Sequence, residues 1–162
     1  MNILTTVSIT TALIGSALIG GVFFAFSSFI MKALARVPSA EGISVMQSIN
    51  VVVLNPLFLG AFMGTAAISL LVIILAVIWW ETPSAPWFFT GGLLYLAGTF
   101  LLTGLGNVPL NNQLAAVKTS DPSAARLWER YLDQWTRLNS MRTAASVCAA
   151  LMFAIGLIQY ES

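Results

Sequence analysis

Polar and apolar positions divide the chain into four long stretches without a charged side chain: 1–31, 42–80, 82–117 and 143–160. A helix that crosses the hydrocarbon core of a bilayer needs about 20 predominantly apolar residues. The first and fourth stretches meet that length with little excess. The second and third exceed it, so part of each must lie outside the hydrocarbon. Their polar ends show which part: Gln47 and Asn50 open the second, while Asn107, Asn111, Asn112 and Gln113 close the third. The pattern predicts an all-α fold, one membrane domain over 1–162, built as an up-down bundle of four transmembrane helices. The spans fall at about 4–31, 50–80, 86–106 and 142–160.

A fifth element precedes the last span. At about 100° per residue from Trp128, Tyr131 falls near 300°, Trp135 near 340°, Asn139 near 20° and Arg142 near 320°. Arg126, Arg130, Asp133 and Arg137 fall at about 140° to 200°, on the opposite face. Asp121-Pro122 offers an N-cap followed by proline at the first helical position. An amphipathic helix over about 122–141 is therefore expected to run straight into the last span. Two other prolines sit inside apolar stretches. Pro56, after Asn55, implies a kink that frees the carbonyl four residues back, and Pro109 is expected to break the third helix. Ser16 and Gly20, four apart, let the first helix approach a partner closely.

Composition narrows the solvent. Of 162 residues, 58% are hydrophobic and 8% charged, against about 25% charged in an average soluble domain. Lipid is the environment this chain suits. The seven basic residues give the orientation: Lys32 and Arg36 follow the first span, and Lys118, Arg126, Arg130, Arg137 and Arg142 lie between the third and fourth. The positive-inside rule then puts the loops 32–42 and 107–141 in the cytoplasm and both termini outside. Trp79, Trp80 and Trp87 flank the turn on the other side, where an aromatic belt belongs. The charge that follows the first apolar stretch, instead of preceding it, marks a retained span and not a signal peptide.

Several chemistries drop out. A net charge of +1 gives no basis for binding nucleic acid, and the absence of histidine removes the commonest metal and haem ligand. Cys148 is the only cysteine, so no disulfide forms within the chain. There is no phosphate loop, no serine–histidine or cysteine–histidine pairing and no carboxylate cluster inside a span, so neither metal nor cofactor is expected. A carrier of charged solutes is disfavoured, since no acidic residue lies within a span and no inverted repeat is present.

Three polar clusters from three helices remain, all at the cytoplasmic end: Gln47 with Asn50, Asn107 with Asn111, and Trp128, Tyr131, Trp135, Asn139 and Arg142. Each has a plain structural role open to it. Trp and Tyr at helical spacing pack, asparagines satisfy carbonyls freed near a proline, and an arginine at a helix entry can reach back to the headgroups. The alternative is that they converge. An ionisable group facing the bundle interior marks function by default, and amides beside aromatic walls (Trp128, Trp135, Phe23, Phe24) suit a flat, oxygen-bearing ligand. These nine residues are the candidate ligand-binding set.

The same residues carry a family pattern. The runs Met46-Gln47-Ser48-Ile49-Asn50 and Leu54-Asn55-Pro56-Leu57-Phe58, the run Gly106-Asn107-Val108-Pro109-Leu110-Asn111-Asn112-Gln113-Leu114, and the spacing of Trp128, Tyr131, Trp135, Asn139, Arg142 and Thr143 resemble, in order, the anthrone oxygenase-like family of small membrane proteins. The resemblance implies a four-helix bundle in a bacterial inner membrane and cofactor-free oxygenation of a polycyclic anthrone. Many members have histidine after the asparagine of the last motif. Here Ser140 takes that place, so a mechanism that needs imidazole there cannot operate. Binding of a small aromatic or quinone-like molecule without turnover is therefore the leading reading for this chain, ahead of oxygenation. A structural subunit of a membrane complex is a third. The expected partners are the lipid bilayer, such a ligand and a second copy of the chain.

Overall fold

The computed structural model describes residues 3–161. Within them the chain is all helical, with five helices: α1 (Ile3–Leu34), α2 (Ser39–Val52), α3 (Pro56–Ile78), α4 (Ala85–Ala115) and α5 (Ala124–Glu161). All but α2 are long and apolar enough to cross a bilayer. At 1.5 Å rise per residue, the 32 residues of α1 span roughly 48 Å and the 38 of α5 roughly 57 Å, against about 30 Å of hydrocarbon. Both helices therefore project well past the core at one end.

Small residues let the four long helices close into a ring. A Cβ added to Gly20 of α1 would lie 3.2 Å from Ser146 Cβ of α5, one added to Gly92 of α4 2.9 Å from the Ser69 carbonyl of α3, and one added to Gly91 2.9 Å from the Phe153 ring of α5. Gly20 thus serves the contact between α1 and α5, and Ser16, four residues earlier, is fully buried in the bundle. Consecutive spans run antiparallel, as Gly91, Gly98 and Gly106 of α4 meet Phe153, Ala145 and Leu138 of α5 in reverse order. Hydroxyls add directional links: Thr99 and Ser146 share a 2.8 Å hydrogen bond, and the Tyr95 hydroxyl donates to the Phe62 carbonyl at 3.2 Å. The outward faces are apolar, with Leu57 86% and Leu105 79% exposed, which is the surface lipid requires.

The two inner prolines exchange the roles expected of them. Pro56 does not kink a helix but starts one. Asn55 is its N-cap, accepting from the Phe58 N–H at 3.0 Å while donating to the Val52 carbonyl at 3.0 Å, so one side chain closes α2 and opens α3. The long helix therefore begins at Pro56, and 39–52 forms the separate helix α2. Pro109, expected to break the third helix, lies within α4. The turn before it is π-helical over Thr103–Asn107, and the Val108 N–H reaches back five residues to the Thr103 carbonyl. The widened register makes room for the ring and for the missing donor. Further π-helical turns occupy Phe26–Ile30 and Leu94–Leu101. The last helix starts at Ala124, two residues after the expected point. Asp121 instead shapes the preceding turn, accepting from the Lys118 N–H at 3.3 Å.

Candidate functional site

Two apolar clusters meet end to end along the bundle. One, deep in the spans, centres on Phe23, Phe62, Tyr95 and Phe153. The other joins Met31 of α1 and Met46 of α2 to Trp128, Tyr131 and Trp135 of α5. The aromatic stripe predicted on α5 is buried along its whole length, and Arg126, Arg130, Asp133 and Arg137 are exposed. Trp128 stacks on Tyr131, and Tyr131 on Trp135, with ring centroids 5.6 and 6.2 Å apart.

Where the clusters meet lies a cavity of about 430 Å³, within the roughly 300–1,000 Å³ of small-molecule sites. Its walls are mainly apolar, with Phe23, Phe26, Phe58 and Phe62 supplying aromatic faces. Its polar lining includes Gln47, Asn50, Thr103, Asn111 and Arg142. Val51 and Leu54, flanking the break between α2 and α3, line the cavity and are 72% and 64% exposed.

Arg142 is the only buried cation among the described residues. Its Nη1 donates to Thr103 Oγ1 at 3.0 Å and its Nη2 to Asn139 Oδ1 at 2.7 Å. Its guanidinium carbon lies 4.0 Å from the centre of the Phe23 ring and 5.3 Å from that of Trp135. Nε has no partner. Asn139 is the hub behind it, donating to the Phe23 carbonyl at 2.6 Å and to Ser27 Oγ at 2.7 Å. The polar entry of the last span is thus turned inward and held from α1 and α4, not directed to headgroups.

The nine candidate residues divide into two groups. Gln47, Asn50, Asn111, Trp135 and Arg142 line the cavity; Asn107, Trp128, Tyr131 and Asn139 do not. Within the first group the freedom to meet a ligand differs. Gln47 spends its amide N–H groups on the Leu114 and Val117 carbonyls, at 2.8 and 3.0 Å, closing the end of α4. Asn111 Oδ1 accepts from both the Tyr131 hydroxyl and Trp135 Nε1, each at 2.8 Å. The Asn50 amide approaches the Tyr131 hydroxyl, but its Nδ2 is out of solvent and makes no well-formed hydrogen bond. In the second group, Asn107 donates to the Trp135 carbonyl at 3.2 Å and leaves its Oδ1 unpaired, and Trp128 packs over Gly42. Of the aromatic walls expected from the sequence, Phe23 and Trp135 face the cavity, while Phe24 is 60% exposed and Trp128 lies off it.

Sequence reasoning missed Thr103, Phe26, Phe58 and Phe62. Signals existed: Thr103 lies one turn before Asn107, and Phe58 and Phe62 are four apart, facing the same side of α3. Ser140 belongs elsewhere. It donates to Ser27 Oγ and to the Thr136 carbonyl, both at 2.9 Å, in a surface groove with Lys32 and Asp133. The position at which the family resemblance implies histidine therefore does not line this cavity. Among the described residues, no group of three or more histidine, cysteine or acidic side chains is placed to hold a metal ion.

The double acceptor gives a sharp test of the polar lining. Asn111→Leu leaves two buried donors unpaired, each costing about 1–3 kcal/mol. The variant is expected to lose thermal stability in detergent, whereas Asn111→Asp, which keeps an acceptor, retains most of it. Equal losses would mean that the two hydrogen bonds contribute little.

Comparison with known proteins adds one finding. A sequence model of the family described as anthrone oxygenase matches residues 57–152. The match takes in α3, α4 and most of α5, with Thr103, Asn111, Trp135 and Arg142, while Gln47 and Asn50 on α2 precede it. No curated protein and no solved structure matches the chain.

Proposed function

This chain belongs to the anthrone oxygenase family of membrane proteins, and from that premise we propose that it binds a small, flat, oxygen-bearing aromatic molecule of quinone-like shape in the cavity lined by all five helices. One observation carries the reading. Arg142 Nε has no partner and Asn50 Nδ2 has only a loose approach to the Tyr131 hydroxyl; both atoms are withdrawn from solvent, and both belong to residues lining the same apolar space. A buried donor left unpaired costs about 1–3 kcal/mol, and a ligand acceptor removes that cost. The phenylalanine walls favour a ring system. The apolar mouth at Val51 and Leu54 favours entry from the lipid phase. By the positive-inside rule this end of the bundle is cytoplasmic, with the first half of α5 as an amphipathic helix at that interface.

Oxygenation without a cofactor is the second reading, and the family assignment favours it. One dioxygen would convert the methylene of an anthrone to a carbonyl and release one water. Donors aimed at the substrate oxygen, in a site that excludes water, stabilise the charge that develops there. The lining contains no carboxylate or imidazole to act as base, so binding stands ahead of turnover.

Native mass spectrometry of protein extracted gently from its own membrane tests binding first. A retained aromatic compound is the expected result. Incubating that compound with the protein under dioxygen and under argon then separates the two readings, since only turnover depends on the gas and on time. A protein that carries structural lipid alone would overturn both and leave the polar clusters as links between helices, as in a subunit of a larger complex.

A further inference from the structure

Arg142 is a buried charge with only neutral company. Its partners among the described residues are a threonine hydroxyl, an asparagine oxygen and two aromatic rings. Every described acidic side chain, Glu41, Glu81, Asp121, Glu129 and Asp133, is exposed. Glu129 and Asp133, the two acids nearest to it along its own helix, line the outer groove and not the cavity. A cation removed from water is strongly destabilised unless an opposite charge compensates it, and the described side chains supply none. Hydrogen bonds and rings relieve part of that cost, but they leave the buried Nε without a partner.

We propose that the ligand itself supplies the missing charge, binding as an aromatic oxyanion, a carboxylate or a phenolate, whose oxygen meets Arg142 Nε and Asn50 Nδ2. The inference rests on the reading of the cavity as an aromatic-ligand site and adds the charge of the ligand to it. Both open groups are donors, so the atom they meet is an acceptor. A ligand oxygen at Nε also gains from the full charge of the guanidinium, since charge-assisted hydrogen bonds are about twice as strong as neutral ones.

The test compares two probes of one shape in lipid nanodiscs near neutral pH: anthracene-2-carboxylate, which is ionised, and anthracene-2-carboxamide, which is not. Affinities are read from tryptophan quenching, corrected for partition into empty nanodiscs. The carboxylate is expected to bind roughly tenfold or more tightly than the amide, and in Arg142→Met that preference disappears. Equal affinities in the unaltered protein would overturn the charge inference and leave the aromatic site standing. If neither probe binds, the site reading falls as well. Oleate that binds as tightly as the aromatic acid, with the same dependence on Arg142, would keep the charge and overturn the aromatic ligand. Should Arg142→Met fail to fold, the comparison in the unaltered protein still decides.

Discussion

Asn139→Leu is expected to destabilise the protein more than Arg142→Met, and the double variant is expected to be more stable than Asn139→Leu alone. Asn139 is fully buried and makes three hydrogen bonds: two to α1, at the Phe23 carbonyl and Ser27 Oγ, and one from Arg142 Nη2. Leucine at this position removes the links between α1 and α5 and leaves the guanidinium deeper in uncompensated burial. Leaving a buried charged group short of a hydrogen-bond partner costs about 3 kcal/mol or more. Arg142→Met removes the charge together with its need for a partner and keeps apolar volume against Phe23 and Trp135. The double variant therefore recovers part of the loss, with a coupling of about 1 kcal/mol or more. Thermal unfolding of the four proteins in one detergent measures it. Strict additivity would show that Asn139 acts by packing alone and that Arg142 does not depend on it.

How much of this was legible in the sequence differs between the spans and the site. The spans follow from the lengths of uncharged runs, because lipid tolerates little else. The prolines show the limit. Asn55-Pro56 carries an N-cap followed by proline at the first turn, the same signature that was read at Asp121-Pro122. Within an apolar run it was taken for a kink, because apolar residues on both sides give no local reason to stop a helix. Pro109 reads as a break in α4 only where the spacing is α-helical. The π-helical turn before it changes which carbonyl each N–H reaches, and no composition rule reports that change.

At the site, the stripe from Trp128 to Arg142 was legible because helical periodicity fixes which residues share a face, and that face is buried. Which member meets a cavity and which serves a neighbour was not. That depends on the opposite helix, and periodicity along one helix is silent about it. Asn107 and Asn111 lie one turn apart, yet only Asn111 lines the cavity. Gln47 and Asn50, one apparent pair on α2, divide likewise: the first closes the end of α4 and the second is left without a well-formed hydrogen bond from Nδ2. The significance of Ser140 also changes. Read in sequence, it replaces a family histidine and weakens the case for chemistry. In the fold it faces the groove beside α1, so its identity says little about what the cavity holds.

Asn50 separates a binding site from a structural joint, because the two readings predict opposite effects of one substitution. If the amide only links helices, Asn50→Leu must destabilise the fold. Within the chain Nδ2 has only a loose approach to the Tyr131 hydroxyl, so the protein without ligand is expected to change by no more than about 1 kcal/mol, as a poorly paired buried donor gives way to apolar volume. Affinity for the anthracene-2-carboxylate probe is expected to fall by roughly tenfold to a hundredfold, the value of one hydrogen bond to a charged group. Thermal unfolding without ligand and a binding titration on the same preparation measure both quantities. A variant less stable and unchanged in affinity would assign Asn50 to the scaffold and remove one of the two donors on which the ligand site depends. A variant at least as stable and much weaker in binding would show that this amide is kept poorly paired in the fold because its partner arrives with the ligand.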